Sequence, residues 1–308
     1  MKRVFAFSLV FVLASNAYSA EVLDLNTALQ NTYRACADID DNLHDLKVLA
    51  GVNTAVTAVG TGLGVGAAAT GFAKASKDSK SKQLSDKINY NTKPINVFPT
   101  EEEIDAWCVL FNSEEMKQQY DDLREESKTL GNWRTGLLAG NTVTNVAGAI
   151  IASKTINKDD INSQIEACIS ATKELNNAIN AARINGEDIT EAKQIYNACR
   201  EYEYVDISQI DKRGKGAMIS SSVGAGLGGI GTITSGVANS ETIRKDTKDV
   251  SEKTDVDWKK EKDLNTAANV LSFGAMAASA TSTVFNATQI AAIKKVAKVS
   301  ESCTGVLK

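Results

Sequence analysis

Residues equipped for chemistry are few. The single histidine, His44, has Asp40 four positions earlier on the same helical face. A metal ion would need further ligands, and no second histidine supplies them, so the pair reads as a solvated imidazole beside acids. Gly224, Gly226 and Gly229 match GxGxxG. That motif binds dinucleotides only after a strand and within alternating strands and helices, and neither is visible around it. No GxSxG or HExxH occurs. The acids at Glu101 to Glu103 and Asp121-Asp122 read as helix starts and solvated faces. The sequence therefore predicts no catalytic residue, no cofactor, no metal ligand and no small-molecule substrate: the chain is not expected to be an enzyme.

Five cysteines, Cys36, Cys108, Cys168, Cys199 and Cys303, carry the remaining chemistry, and none forms a CxxC pair. In an exported chain thiols more often pair than bind metal. Two pairings compete. Similarity between the two halves favours Cys36 with Cys168 and Cys199 with Cys303, leaving Cys108 alone, whereas a hairpin at Asn185-Gly186 favours Cys168 with Cys199.

Export is expected from the first residues. Lys2-Arg3 precede an apolar run from Val4 to Ala14 and the small residues around Ala17-Tyr18-Ser19, a signal-peptide pattern that assigns residues 1–19 to a cleaved leader. The run is short for crossing roughly 30 Å of hydrocarbon. Its removal takes away two cations and no acid, moving the formal charge from −4 to −6. A mildly acidic protein has no general attraction for nucleic acid.

The elements that must position these residues are helical. The only prolines are Pro94 and Pro99, so long helices can follow Thr100. Leu25, Leu29, Thr32, Cys36, Ile39, Leu43 and Leu46 make one coiled-coil-like seam, and Ile161, Ile165, Cys168, Thr172, Leu175, Ile179 and Ala182 make another. Thr100 with Glu103 and Asp188 with Glu191 are candidate capping boxes, and Asn185-Gly186 is a helix stop. Four further stretches, 48–73, 135–153, 216–240 and 264–293, contain no charge and are built mainly from Gly, Ala, Ser, Thr and Asn. Leu49, Val52, Val56, Val59 and Leu63 form a heptad-like seam in the first. Ala139, Val143, Val146 and Ile150 form one in the second, and Ile219, Val223, Gly226, Ile230, Ile233 and Val237 one in the third. In the fourth, a greasy stripe at Val270-Leu271, Ala277-Ala278 and Val284-Phe285 opposes a polar stripe at Asn265, Asn269, Ser272, Ser279, Thr283 and Asn286.

The expected fold is all-α: an elongated antiparallel bundle of coiled-coil hairpins. Tyr33 to Cys36 stands before the first uncharged stretch as Tyr196 to Cys199 stands before the third, and Trp133 and Trp258 precede the second and fourth. Two tandem units, 20–184 and 185–308, would explain that order, with a linker at 74–99 and an insertion near 84–123. Chance similarity between low-complexity helices is the competing account.

Gly60 and Gly64, Gly62 and Gly66, and Gly224 and Gly228 are four apart, with Gly226 between the last two, so each pair opens a groove in which another backbone can rest. The spacing resembles the glycine-zipper pattern of some bacterial envelope proteins. It covers only the first and third stretches and names no family. The expected function is an exported, non-enzymatic envelope protein that self-associates and engages membranes through small-residue hairpins, with conditional insertion or pore formation as one form of that role. A soluble periplasmic or secreted scaffold, pairing with itself or a protein partner, is the alternative.

Overall fold

The computed structural model describes residues 23–91, 113–156, 159–246 and 253–307. The expected leader, both prolines, the Thr100–Glu103 cap and Cys108 lie outside these. The described chain is all-α, with helices α1 (Leu25–Cys36), α2 (Ile39–Asn91), α3 (Ser113–Ile156), α4 (Asp159–Ile184), α5 (Thr190–Cys199), α6 (Ser208–Asp246) and α7 (Asp255–Leu307).

Local signals explain several boundaries. Asp24 caps α1, accepting from the Thr27 amide at 3.0 Å and its hydroxyl at 2.6 Å; these bonds hold the Asp24 carboxyl below the ordinary carboxylate range. Helix α4 stops as expected: Gly186 has φ of 76°, its amide reaches the Arg183 carbonyl at 3.4 Å, and the Glu187 amide reaches that of Ala182 at 3.0 Å. This is the Schellman arrangement, and its left-handed residue needs glycine. The expected box at Asp188 takes another form, with its carboxylate accepting from the Thr190 amide at 3.0 Å and hydroxyl at 2.7 Å. Glu191 instead accepts from the Tyr33 hydroxyl at 3.3 Å.

Contacts divide the chain into two compact units, each assembled from segments of both sequence halves, so the division does not fall at 184/185. One comprises residues 23–48, 159–210 and 291–307. Its core is the pair of apolar seams read from the sequence, with Cys36, Ile39, Leu43, Leu46, Ile165, Cys168, Leu175 and Ile179 all buried. The Thr32 hydroxyl lies 3.2 Å from the Ala171 carbonyl, fixing α1 against α4. Disulfides join Cys36 to Cys168 and Cys199 to Cys303, across 132 and 104 residues. Loops this long lose about 4–5 kcal/mol of unfolded-state entropy in the chain-entropy view, and measured losses are typically about 2–5 kcal/mol per bridge. A Cys199→Ser, Cys303→Ser double variant should accordingly lower the urea midpoint without changing helicity at zero denaturant.

The other unit comprises 49–91, 113–156, 211–246 and 253–290. Among the described residues it is a four-helix antiparallel bundle. Asn53 on α2 bonds Asn286 on α7 at 2.9 Å, the Asn141 amide reaches the Gly60 carbonyl at 2.6 Å and Ser279 at 3.0 Å, and Ser221 meets Ser282 at 2.7 Å. A Cβ added at Gly71 would meet Asn269. Contacts thus move up α2 and α6 as they move down α3 and α7.

The uncharged seams are inverted relative to expectation. In α2 the inward series is Asn53, Thr57, Gly60, Gly64, Ala67, Gly71, Lys74, Asp78, Ser81, Ser85 and Ile88, in steps of four and three, all buried except the half-buried Asp78. In α6 it is Gly214, Ala217, Ser221, Gly224, Gly228, Gly231, Ser235, Ala238 and Thr242. These are heptad seams of small and polar residues, and the greasy stripes read from the sequence face outward. Small side chains bring backbones close, so the helices pack by backbone contact and interhelical hydrogen bonds in place of interlocking large side chains. The same series carries α2 through Asn91, so residues 74–91 are helix in place of the expected linker. Residues 113–123 of the expected insertion likewise begin α3.

Of the glycines singled out for packing, Gly60, Gly64, Gly66, Gly224 and Gly228 abut neighbours, whereas Gly62 and Gly226 have nothing within 4 Å of an added Cβ. At Gly64 that carbon would lie 3.0 Å from the Met276 Cα, so α7 would have to shift. Gly64→Val should cost about 1–3 kcal/mol by overpacking, while Gly226→Ala should be neutral or stabilising by up to about 1 kcal/mol. Denaturation followed by circular dichroism distinguishes the two.

Candidate functional site: an outward apolar belt

The exterior of the small-residue bundle is its most unusual surface. Every exposed residue within 49–73 of α2 and 135–153 of α3 is Val, Ile, Phe, Ala or Gly. On α6 and α7 the exposed set includes Ile219, Val223, Ile230, Ile233, Val270, Phe273 and Val284, with Val143 of α3 at 68% and Ile233 at 70% exposure. Exposed hydroxyls on the uncharged stretches of α6 and α7 belong to Ser222, Ser240, Thr266 and Thr281. Ser222, Thr266 and Thr281 donate to the carbonyl four residues back at 2.8–2.9 Å, so their polarity is satisfied within the helix. Meanwhile Asn53, Asn141, Asn145, Ser221, Ser272, Ser279, Ser282 and Asn286 are buried.

This is an apolar sleeve around a polar interior. The shortest uncharged stretch, that of α3, is about 28 Å long at roughly 1.5 Å per residue, close to the roughly 30 Å of a bilayer's hydrocarbon core. Among the described residues, two helical stretches, one within 25–89 and one within 114–184, are long and apolar enough to cross a membrane. Only 28% of each apolar window is buried, whereas the core helix of a water-soluble protein would have most of its window buried.

A charged network closes one end of the belt. Lys74 contacts Asp78 at 3.1 Å and donates to the Ser127 hydroxyl at 2.7 Å, and that hydroxyl donates to Asp78. Arg124 grips Glu261 through both terminal nitrogens, at 3.1 and 3.2 Å, while the Thr242 hydroxyl donates to Glu261 at 2.7 Å. Arg134 donates to Ser235, Asn269 and Asn265 at 2.8, 3.0 and 2.9 Å, and Asn265 passes a bond on to Asp78 at 2.9 Å. Lys74, Arg124 and Arg134 are at most 2% exposed. Burial pulls the Lys74 ammonium below the ordinary lysine range against the opposing attraction of Asp78 and Glu261. Burial likewise lowers the Arg134 guanidinium to about 10, with Asp78 opposing. Arg134 therefore stays charged at neutral pH.

Beside the network, Arg124 lies 5.2 Å and Lys253 4.9 Å from the Trp258 ring, over a core of Ile88, Tyr120 and Trp258. A cleft of about 420 Å³ opens here, lined in part by Asp78, Trp258, Glu261, Lys262, Asn265 and Asn269. Of its carboxylates, the buried Glu261 and the half-buried Asp78 are held by Lys74 and Arg124, which ties α2, α3 and α7 together.

The other chemistry-bearing residues read from the sequence are not brought to this site. His44 is exposed on α2, outside the bundle unit, and Gly224, Gly226 and Gly229 lie in the middle of α6 with helix on both sides. Sequence reasoning missed the network because Lys74 and Arg134 look like flanking charges that end the uncharged stretches. Their spacing was the available signal: Arg134, Leu138, Asn141, Asn145, Gly148 and Ala152 share one buried face. No protein family, characterised protein or solved structure matches the chain.

Proposed function

We propose that this protein is an exported, non-enzymatic helical envelope protein whose small-residue bundle enters a lipid bilayer and associates with other copies of itself there. One observation carries the reading: four helices turn Val, Ile and Phe outward and Asn, Ser and Thr inward over a belt free of exposed charge. In water such a surface is a continuous apolar patch of the kind that marks membrane or protein contact. In lipid each outward Val or Ile contributes about −0.3 to −0.6 kcal/mol. Inward polar groups then hold the helices together by hydrogen bonds between small-residue faces, the usual glue of helices in membranes. The two disulfides fit an oxidising compartment, which supports export. Periplasm, outer envelope and medium are separate destinations within that reading.

Vesicle flotation tests it. The purified protein should rise with vesicles of phosphatidylethanolamine and phosphatidylglycerol and stay with them through a high-salt wash. Protein that remains at the bottom with every lipid, enters no detergent micelle and forms the same oligomer with or without detergent is a soluble scaffold, and the membrane reading fails.

A further inference from the structure

We propose that Cys36, Cys168, Cys199 and Cys303, when reduced, form a tetrathiolate site for a thiophilic divalent cation of the Zn²⁺ class. The two disulfides are not scattered staples. The Sγ atoms of Cys36, Cys199 and Cys303 all lie within 4.8 Å of one another, and Cys168 is bonded to Cys36. Three sulfurs, from α1, α5 and α7, therefore converge, and that of Cys168 on α4 lies one S–S bond from the Cys36 member. In a tetrahedral ZnS₄ centre with Zn–S near 2.3 Å, the sulfurs stand about 3.8 Å apart. Opening the S–S bonds would have to bring sulfurs now within 4.8 Å of one another, with that of Cys168, to that spacing.

All four cysteines are fully buried, so the centre would be closed to water and structural, with no open coordination position. Two further groups at the cluster bear on the ligand. Tyr202 lies one helical turn after Cys199, and Ser300 one turn before Cys303. Both are buried, and the one partner recorded for either hydroxyl is the other. Such a pair uses one of its two protons, a buried donor left over is costly, and a thiolate would accept it.

The chemistry balances with a dithiol as reductant. Each protein disulfide takes two electrons and two protons from one dithiol, which closes to its own disulfide and leaves two protein thiols. Four thiols then bind one cation and release four protons. Exchange with two equivalents of a small-molecule disulfide reverses the sequence: its sulfurs take the four electrons and, with four protons, leave as thiols, while two protein S–S bonds form and the cation is expelled. The metal would thus hold the four helices together in the state in which the disulfides cannot.

The test uses the full chain with Cys108→Ser, so that only the four clustered thiols remain, reduced by a dithiol without oxygen and titrated with Co²⁺. The expected result is one equivalent bound, with the intense visible bands of tetrahedral cobalt and sulfur-to-metal charge transfer. Zn²⁺ should displace it mole for mole and raise the melting temperature of the reduced protein. Cys199→Ser should weaken Co²⁺ binding by at least about 100-fold, and Tyr202→Phe by about 10-fold with the bands retained. Absence of tetrahedral bands overturns the proposal. So does binding unchanged by Cys199→Ser, or a reduced protein that melts at the same temperature with Zn²⁺ as with a chelator.

Discussion

Replacing Val59 or Ile230 by lysine should lower vesicle partitioning by roughly a hundredfold or more while leaving the helical content in water unchanged. The magnitude follows from exchanging a side chain that favours the bilayer centre by about 0.3–0.6 kcal/mol for one that opposes it by about 2.5–3.5 kcal/mol. Both positions lie near mid-belt, close to Gly60 and Gly228 in the stack of facing residues, and both point outward, at 58% and 57% exposure. A lysine there contacts no interior group, so the fold has no reason to respond. Asn141→Leu should do the opposite. It removes the bonds to the Gly60 carbonyl and to Ser279 and crowds the site where Gly64 approaches, so the bundle loses stability while its outer surface is untouched. If the two lysines leave flotation intact, the belt is not what meets lipid.

Glu261→Ala is expected to cost about 3–5 kcal/mol of stability, because it leaves Lys74 and Arg124 buried without their shared carboxylate. Glu261 also accepts from the Thr242 hydroxyl, which would lose its carboxylate partner. The exposed pair Lys260–Glu241, at 3.2 Å, provides the contrast. Lys260→Ala should cost less than about 1 kcal/mol, since water screens that contact. Urea denaturation of both variants reads the difference as a shift in midpoint. Equal shifts would mean that the buried network contributes no more than a surface ion pair does.

The helical class was legible because residues of like kind recur every three or four positions along nearly the whole chain. In the disulfide unit the rule that large apolar residues mark the interior also chose the right face, as Ile39, Leu43 and Leu46 are buried. In the bundle that rule chose the wrong face. There the interior is the seam of Asn53, Thr57, Gly60 and Gly64, and hydrophobicity alone gives no reason to prefer it over Val52, Val56 and Val59. What decides is the closeness of approach that glycine and serine permit, a property of two helices together and not of one read alone. Residues 74–91 illustrate the same limit. Their Lys, Ser and Asn content suggests a linker, yet Lys74, Ser81, Ser85 and Ile88 continue the seam without a break. The cysteine pairing stayed open because the two candidate schemes differ only in which helices lie side by side. The network of Lys74, Arg124 and Glu261 joins residues far apart in sequence, so seam spacing can mark Lys74 as inward but cannot say which charges it meets.

The most direct test of the central claim is to photolabel the vesicle-bound protein with an apolar carbene probe dissolved in the bilayer and map the adducts by mass spectrometry. Adducts should fall on Val52, Val59, Val143, Ile150, Ile230 and Val284 and spare Asn53, Asn141, Ser221 and Ser279. Labelling that spares the outward valines and isoleucines, or falls equally on the inward asparagines and serines, would contradict the account.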